Sequence, residues 1–379
     1  MNAKNKNMVS IICLTYNQEK YIVKAIESML MQQTDFEYEI IIHDDASTDS
    51  TVNILREYQS KYPEKIRLVL EKQNQYSMGR DTFADLVRNI ATGKYIAVCE
   101  GDDFWIDDNK LQLQYDAMNE HLKCDMCACT GCTVSEDGEK QISLIRPQET
   151  SGVLDARDVI LGGGQFLVTA GLFFRKKMYE TMLPFENVFP LDYTMQIKGS
   201  LRGGIYYIDK NMAAYRRYAG GSWTNNVLNN DSRLRQQWER EIAMLKQLDA
   251  DTCGKYSQTI ACRLKSYTPF EMQLASHRDE MLKELKSAPG KAYIWGRGRR
   301  GRSLEAFCAK EGIKIEGICD IINTDIGHKS ESGSTIITTD EVLQNADVIF
   351  ASNRYAYRDL KKSEYQGRLI DFEKYMPWG

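Results

Sequence analysis

Long apolar runs, an excess of positive charge and a secretion signal are all missing from this sequence of 379 residues. No segment approaches the ~20 apolar residues that a membrane-spanning helix needs. The formal net charge of -4 argues against a nucleic-acid-binding protein. The basic N-terminus is followed by only a short apolar stretch without a cleavage site. We therefore expect a cytoplasmic protein, at most peripheral on the inner face of a membrane.

Cysteine, by contrast, is plentiful, with ten residues at irregular spacing. Without a secretion signal this pattern favours a reducing compartment over a disulfide framework. Residues 124–132 carry a CxxCxCxxC spacing, which a zinc site of four convergent thiolates would explain. The segment also has the pattern of a strand, whose alternation places Cys127 and Cys129 on one face and Cys124 and Cys132 on the other. Because free cysteine is a common core residue, we favour structural packing over zinc.

The length predicts two or three domains, because one domain usually takes ~100–200 residues. Apolar strands alternate with amphipathic helices in the first third, which predicts an α/β fold with a mostly parallel sheet and helices on both faces. We divide the chain into a first domain at 1–226, a polar helical connector at 227–288 and a small α/β domain at 289–379. The predicted strands of the first domain are 9–14, 38–43, 66–70, 95–99, 205–208 and 212–217.

The predicted strand 95–99 ends in three carboxylates, Glu100, Asp102 and Asp103. Packing does not explain them, because clustered unpaired anions repel and are costly to desolvate. A divalent ion that carries a diphosphate does explain them, since Mg²⁺ and Mn²⁺ prefer oxygen ligands and usually share coordination with phosphates. The alternative is a capped turn, but Asp107 and Asp108 are better placed to cap the next helix.

Polar residues also follow the first two strands, with Tyr16 after one and Asp44 and Asp45 after the other. Because parallel strands present their carboxyl ends at one edge of a sheet, these residues are expected to face the same crevice as the carboxylates at 100–103. A carboxylate can accept a base N–H or a ribose hydroxyl, and a tyrosine can stack on a base. Asp49 or Ser50 can simply cap the next helix. The sequence therefore predicts a nucleotide pocket.

In order and spacing these motifs resemble the family 2 glycosyltransferases. The resemblance covers about the first 230 residues and rests on residues 9–12, 15–17, 44–49, 101–105 and 110–112. It implies a GT-A fold, a nucleotide-sugar donor, with a UDP-sugar favoured, and Mn²⁺ or Mg²⁺. It also implies transfer with inversion at the anomeric carbon, to a glycan or lipid-linked acceptor in surface polysaccharide synthesis.

The resemblance also implies roles for single residues. Tyr16 and Asp45 match donor-base positions, beside Asp44 in the same pocket. Asp103 matches the main metal contact, and Asp102 an assisting contact to metal or ribose. Many relatives have aspartate where this chain has Glu100. Glu100 is therefore expected to support Asp102 and Asp103 without contacting the ligand itself.

Asp192 lies where the family places the base that takes the acceptor proton. It precedes a predicted helix, whose N-terminus favours the ionised carboxylate, and plain helix capping is the alternative role. Glu186 is the fallback base. Many relatives then carry a Tyr-Arg-x-His element whose histidine helps to hold metal or diphosphate, whereas this chain has Tyr218. Arg216 or Arg217 is expected to balance the leaving-group charge instead, with surface solvation as the alternative.

Near the C-terminus, Gly296, Gly298 and Gly301 form a GxGxxG between a predicted strand and helix, with Asp320 after the next strand. This part resembles the small Rossmann-like modules appended to some polysaccharide-biosynthesis enzymes, whose ligands vary. A phosphate-bearing ligand such as a nucleotide is favoured over hydride chemistry, because no catalytic Tyr-Lys or His constellation accompanies the motif.

Two other functions stay open at this point. The first is an NAD-dependent oxidoreductase that uses the GxGxxG, which predicts NAD(H) binding that survives loss of Asp103. The second is a non-catalytic nucleotide-sugar-binding scaffold, which the tyrosine at 218 makes conceivable. The amphipathic face of the connector can also contact a membrane or a partner subunit. No motif specifies the donor sugar, the acceptor, the linkage or the oligomeric state.

Overall fold

The computed structural model describes residues 8–188, 192–217, 230–268, 272, 274, 276–287, 290–320, 325–352 and 354–371. The chain divides into two compact units, Met1–Ile260 and Ala261–Gly379. The division falls inside the predicted connector, and the two predicted domain boundaries stay predictions. Each unit has its own sheet, and the predicted α/β class with a mostly parallel main sheet is confirmed. No helix in the described part of the chain has the length and apolar character needed to cross a bilayer.

The sheet of the first unit has strand order β3-β2-β1-β4-β9-β6-β10-β5, with β7 paired to β6 and β8 to β10. Strands β3, β2, β1 and β4 run parallel, β9 is antiparallel to both β4 and β6, and β10 is parallel to β6. The carboxyl ends of β1, β2 and β4 therefore meet at one edge. The strands are β1 Val9–Thr15, β2 Tyr38–Asp44, β3 Ile66–Leu70, β4 Tyr95–Val98, β5 Phe104–Trp105, β6 Met126–Val134, β7 Gln141–Ile145, β8 Gly152–Leu154, β9 Phe173–Arg175 and β10 Ile205–Arg216.

Helices cover this sheet because their apolar residues recur at helical spacing. In the first helix, Ile22, Ala25, Ile26 and Met29 follow that spacing, and all four are fully buried. Up to residue 265 the helices are α1 Ile22–Leu30, α2 Thr51–Lys61, α3 Thr82–Asp85, α4 Lys110–Glu120, α5 Ala156–Gly162, α6 Pro184–Val188, α7 Asp192–Ser200, α8 Asp231–Asp251 and α9 Ser257–Lys265.

One strand differs from its prediction. Residues 205–208 and 212–217 were expected as two strands, but β10 is continuous, with register shifts around Asn211. The irregularity accommodates Asp209 and Lys210, whose charged side chains pair with Arg146 at 2.5 Å and with Asp107 at 2.5 Å. A polar interruption in the pattern thus marks a β-bulge rather than a chain break.

The second unit contains a five-stranded parallel sheet of order β13-β12-β11-β14-β15. Its strands are β11 Ala292–Trp295, β12 Gly317–Cys319, β13 Thr335–Ile336, β14 Val348–Ala351 and β15 Arg368–Asp371. Its helices with bounds in the described ranges include α10 Arg278–Lys286, α11 Arg299–Lys310, α12 Thr339–Asn345 and α13 Arg354–Lys362. The strand order reverses beside β11, which is where open α/β sheets leave a crevice for a ligand.

Candidate functional site

The loops after β1 and β2 are joined by a set of hydrogen bonds, and we call residues 15–19 and 44–51 the interlocked loops. Asn17 adopts a positive φ of 52°, which asparagine tolerates better than most residues. In this conformation its Oδ1 accepts the Thr48 N–H at 2.7 Å. Further bonds run from Asn17 N–H to Ser47 Oγ, Gln18 N–H to Thr51 Oγ1, Glu19 N–H to Asp49 Oδ2, Ser50 N–H to Glu19 Oε2 and Asp45 N–H to Thr15 C=O.

The carboxylates of Asp44 and Asp45 are largely engaged by their own chain. Asp44 is fully buried and accepts hydrogen bonds from the backbone N–H of Ser47 at 2.9 Å and from its hydroxyl at 2.5 Å. Asp45 accepts the N–H of Gln75 at 2.6 Å and that of Tyr76 at 3.1 Å. Asp45 therefore fixes the loop after β3, and any donor contact must use its remaining lone pairs.

Two tyrosines beside these bonds are exposed. The side chain of Tyr16, predicted to stack on a base, is 46% exposed, and that of Tyr76 is 62% exposed. The sequence analysis did not single out Tyr76, because only the folded chain connects the loop after β3 to Asp45. The sequence signal that could have indicated Tyr76 is an aromatic residue directly after the turn-forming pair Asn74-Gln75.

The acidic loop, residues 100–103, packs against the interlocked loops. Gly101 donates its N–H to the Leu14 carbonyl at 3.0 Å. A Cβ at Gly101 would lie only 2.3 Å from Oε1 of Gln18. Glycine thus permits a close approach that brings Asp102 and Asp103 to the same sheet edge as Asp44 and Asp45.

The carboxylates of the acidic loop lie close together, with Asp103 buried and Glu100 and Asp102 partly buried. Burial and the charges of Asp102 and Glu100 raise the pKa of Asp103 well above its usual range. Burial, the charge of Asp102 and that of Asp192 raise the pKa of Glu100 to about 8. Burial also raises the pKa of Asp102, although Arg216 and a hydrogen bond from Gln18 oppose the shift. The shifts indicate that the described protein groups alone do not fully stabilise the charged forms of these three carboxylates.

This arrangement fits a divalent ion shared with a ligand. Oδ1 of Asp103 accepts the Arg216 N–H at 2.9 Å, while Oδ2 is buried and has no hydrogen-bond partner among the described residues. No group of three histidine, cysteine, aspartate or glutamate side chains converges into a closed metal site in the described ranges. One or two carboxylates completed by phosphate oxygens and water are the usual surroundings of Mg²⁺.

The two predicted arginines lie in different environments. Arg216 is 2% exposed, and it donates from Nε to the Asp102 carbonyl at 2.8 Å and from Nη1 to the Glu136 carbonyl at 2.7 Å. Its guanidinium lies 4.8 Å from the Tyr21 ring centroid. Arg217 is exposed, with its N–H bonded to the Val134 carbonyl. Arg216 thus supports the backbone of the acidic loop, and only Arg217 has a side chain open to solvent. Position 218 lies outside the described residues.

Asp192 is the first residue of α7. Its Oδ1 accepts the Tyr193 N–H at 2.7 Å and its Oδ2 accepts the Thr169 hydroxyl at 3.2 Å. Burial raises its pKa to about 6, with these two hydrogen bonds opposing the shift and the charge of Glu241 adding to it. Because the charge of Asp192 in turn raises the pKa of Glu100, the fold brings Asp192 into the electrostatic neighbourhood of the acidic loop.

Glu186, the fallback base, forms a hydrogen bond and a buried ion pair with other residues. Its Oε1 accepts the Leu183 N–H at 2.6 Å and its Oε2 pairs with the Lys198 ammonium at 2.6 Å. Both side chains of this ion pair are 8% exposed. A carboxylate oxygen held by a buried ammonium is less available to a substrate hydroxyl than the oxygens of Asp192, whose two partners are a backbone N–H and a hydroxyl.

The cysteines of residues 124–132 are buried in the core. Cys127 and Cys129 pack in the main core beside β1 and β4 residues, whereas Cys132 packs with Phe104 and Ala214 on the other face. Burial raises the pKa of the Cys129 thiol to about 11 and that of Cys127 further. Because zinc binds the thiolate, this environment opposes zinc and supports the structural role.

In the second unit the GxGxxG connects β11 to α11, the setting predicted for it. Gly296 has a φ of 106°, and a Cβ at Gly301 would lie 1.7 Å from the Gly296 carbonyl oxygen. Gly298 caps the helix N-terminus. Oδ2 of Asp320 accepts the Arg297 N–H at 2.7 Å. The fold thus brings the four predicted residues together, with Asp320 bonded to the turn itself.

Comparison with known proteins connects this site to a family. Residues 10–219 match the family model for Glycosyl transferase family 2. The chain is 35% identical over 215 residues to an uncharacterised protein of Mycobacterium tuberculosis strain H37Rv, covering 57% of this chain and 60% of that protein. It is 32% identical over 158 residues to the putative teichuronic acid biosynthesis glycosyltransferase TuaG of Bacillus subtilis, covering 41% and 60%. The match spans less than two thirds of either relative.

A solved structure agrees on the fold. The crystal structure of S. aureus TarS 1-349 in complex with UDP superimposes with a TM-score of 0.50 at 17% identity, covering 82% of this chain and 84% of that one. This likeness supports the GT-A fold that the motifs imply. Because the family match extends over more than half of the 379 residues, the chain belongs to glycosyl transferase family 2.

Proposed function

We propose that this chain transfers a sugar from a nucleoside diphosphate to a hydroxyl of a glycan or lipid-linked acceptor in surface polysaccharide synthesis, with inversion at the anomeric carbon. The observation that carries the proposal is the meeting of the acidic loop and the interlocked loops at one edge of the sheet, with Asp192 near enough for its charge to raise the pKa of Glu100. The relatives support it, since TuaG is named for teichuronic acid biosynthesis and TarS was crystallised with UDP.

The donor is proposed to bind across the interlocked and acidic loops. Tyr16 is proposed to present its exposed ring to the base, and Asp45 and Asp102 a carboxylate oxygen to base or ribose. Asp44, which the sequence also assigned to the donor, is fully buried and bonded to Ser47, so it is proposed to hold its loop in place instead. A UDP-sugar is the favoured donor. Arg217 is proposed to meet the diphosphate, as guanidinium groups suit phosphate oxygens.

Asp103, assisted by Asp102, is proposed to hold Mn²⁺ or Mg²⁺. Oδ2 of Asp103 is the oxygen that the protein leaves without a hydrogen-bond partner among the described residues. A divalent ion bound there would neutralise the charge of the departing diphosphate. Glu100 and the buried guanidinium of Arg216 fix the loop from behind.

Asp192 is proposed to act as the general base. Its carboxylate takes the proton of the acceptor hydroxyl while the hydroxyl oxygen forms a bond to the anomeric carbon. The bond from that carbon to the diphosphate oxygen breaks, and its electron pair leaves with the nucleoside diphosphate. Attack from the face opposite the leaving group inverts the configuration.

We propose that the reaction takes place on the cytoplasmic side of the membrane and that the protein contacts the inner membrane face peripherally. All ten cysteines are free thiols, eight of them buried, which suits a reducing compartment.

Thermal-shift measurements with UDP-glucose, UDP-GlcNAc and GDP-mannose, each with and without Mn²⁺, test donor and metal binding. A transfer assay on the stabilising donor then tests catalysis, and NMR of the product reports its anomeric configuration. The proposal predicts Mn²⁺-dependent stabilisation that Asp103→Ala abolishes. Donor binding without hydrolysis or transfer would instead support the scaffold interpretation.

The C-terminal unit is proposed to be a Rossmann-like module with a phosphate-bearing ligand at Gly296, Gly298 and Gly301. The parallel sheet and the start of α11 beside the glycine turn support this proposal. The oxidoreductase alternative has less support, because Asp320 is bonded to the Arg297 N–H rather than left open for a ribose. Calorimetric titration with NAD⁺ and with UDP tests the two directly.

A further inference from the structure

Three consecutive glycines, Gly162 to Gly164, begin at the last residue of α5 and precede Thr169 in the chain. The fold explains the first two. A Cβ at Gly162 would lie 2.2 Å from the Phe166 ring. Gly163 has a φ of 75°, a conformation that residues with side chains rarely adopt.

The third glycine has no such explanation. The backbone of Gly164 lies outside the left-handed region, and a Cβ built there meets nothing nearer than Tyr193 Cβ at 3.4 Å, an ordinary contact distance. Alanine would therefore fit. The next atom that this Cβ would meet is Oδ1 of Asp192, at 3.6 Å. The missing side chain thus leaves space beside the proposed base.

Gly164 is held in this position. Gln196 lies on α7 one turn after Asp192, is fully buried, and donates from Nε2 to the Gly164 carbonyl at 3.1 Å. Thr169, five residues after Gly164, donates its hydroxyl to Oδ2 of Asp192. The glycine segment is therefore bonded to α7 at two points around the carboxylate. Gly164 itself is partly exposed, and Gln165 next to it is exposed, so the space adjoins solvent.

We propose that Gly164 forms the acceptor entrance, keeping open the approach of a ring-borne sugar hydroxyl to Asp192. This inference rests on the proposed function. A hydroxyl that gives its proton to the carboxylate must come within about 2.6–3.2 Å of one of its oxygens. A water molecule needs little room for this approach, whereas a hydroxyl on a sugar ring brings bulky neighbours. A side chain at 164 would therefore discriminate between acceptors by size.

The experiment compares Gly164→Ala and Gly164→Val with wild type. The control is Gly152→Ala, because Gly152 lies in β8 and a Cβ there would meet only Gln148 Nε2, at 3.3 Å. Each protein is assayed with UDP-glucose, UDP-GlcNAc and GDP-mannose, measuring donor hydrolysis by water and transfer to p-nitrophenyl hexosides. Thermal unfolding checks that the variants are folded.

The expected result is that the ratio of transfer to hydrolysis falls about tenfold in Gly164→Ala and further in Gly164→Val, with the control equal to wild type. An unchanged ratio in folded Gly164→Val overturns the inference, as does an equal loss of transfer and hydrolysis. If wild type neither hydrolyses nor transfers any of the donors, the proposed function fails and the inference with it. If wild type transfers sugar but the ratio of transfer to hydrolysis is unchanged in the Gly164 variants, the acceptor-entrance inference fails while the proposed function stands.

Discussion

Asp192 has the two properties that a general base requires, a fixed orientation and a pKa near the working pH. Burial raises its pKa to about 6 by disfavouring the charged form. Because the base acts when deprotonated, kcat should fall about tenfold per pH unit below that value. We expect this acidic limb in transfer rates measured from pH 4.5 to 8, at saturating donor.

Asp192→Asn removes the proposed proton acceptor while keeping the size of the side chain. Transfer should fall by roughly 10²- to 10⁴-fold, with donor affinity measured by calorimetry close to wild type. Asp116→Asn, on the exposed side of α4, is the matched control and should leave both quantities unchanged. Retention of most of the turnover in Asp192→Asn would contradict the assignment.

Replacing the adjacent Arg216 and Arg217 should have very different effects on the free energy of unfolding. Arg216→Ala removes a buried cation that bonds the Asp102 and Glu136 carbonyls, so we expect a loss of about 3 kcal/mol. Arg217→Ala, at the exposed neighbour, should change stability by less than about 0.5 kcal/mol. Urea unfolding followed by circular dichroism measures both. Equal effects would show that burial does not separate the two side chains.

At the scale of elements, Asp45 connects two loops. Asp45→Asn replaces one of the two carboxylate oxygens that accept the Gln75 and Tyr76 N–H groups. We expect hydrogen exchange at these two amides to accelerate about tenfold or more, because a bond to a charged acceptor contributes about 1.5–3 kcal/mol. Mass spectrometry of peptides covering residues 72–80 measures it. Asp35→Asn, an exposed aspartate before β2, is the control, and equal exchange in all three proteins would refute the connection.

Local pattern was enough to predict most elements of the first domain. The strands β1 to β4 match their predicted ranges closely, because β-branched and apolar runs define buried parallel strands. The sheet edge on which Tyr16, Asp45 and Asp103 meet followed from the same pattern. The contact of Asp45 with the loop after β3 could not be predicted, because it joins residues 30 positions apart through backbone N–H groups that every residue carries.

The sequence also could not show which charged side chains of the site are buried or paired. Arg216 and Arg217 are neighbours with identical side chains, and only strand alternation on β10 decides which one faces the acidic loop. The sequence proposes Asp192 as the base with Glu186 as the fallback, and it could not show that Glu186 pairs with Lys198.

For the whole molecule, the burial of the cysteines predicts a labelling pattern. Of the ten free thiols, Cys253 and Cys262 are exposed and the others are buried. We expect two equivalents to react quickly with Ellman's reagent in the native protein and ten in guanidinium chloride. Metal analysis of the purified protein should find no stoichiometric zinc. Slow release of four thiols together with a zinc ion would contradict the structural role of residues 124–132.

The interlocked loops also affect how such an enzyme could be re-engineered. Several hydrogen bonds cross between residues 15–19 and 44–51, and they pair backbone and side-chain atoms from both sides. A substitution on one loop leaves its partner on the other without a match, so a graft of either loop alone from a homologue would misfit. The two segments form a single exchangeable cassette, and a chimaera that tests the proposed binding of the donor by these loops has to transplant both at once.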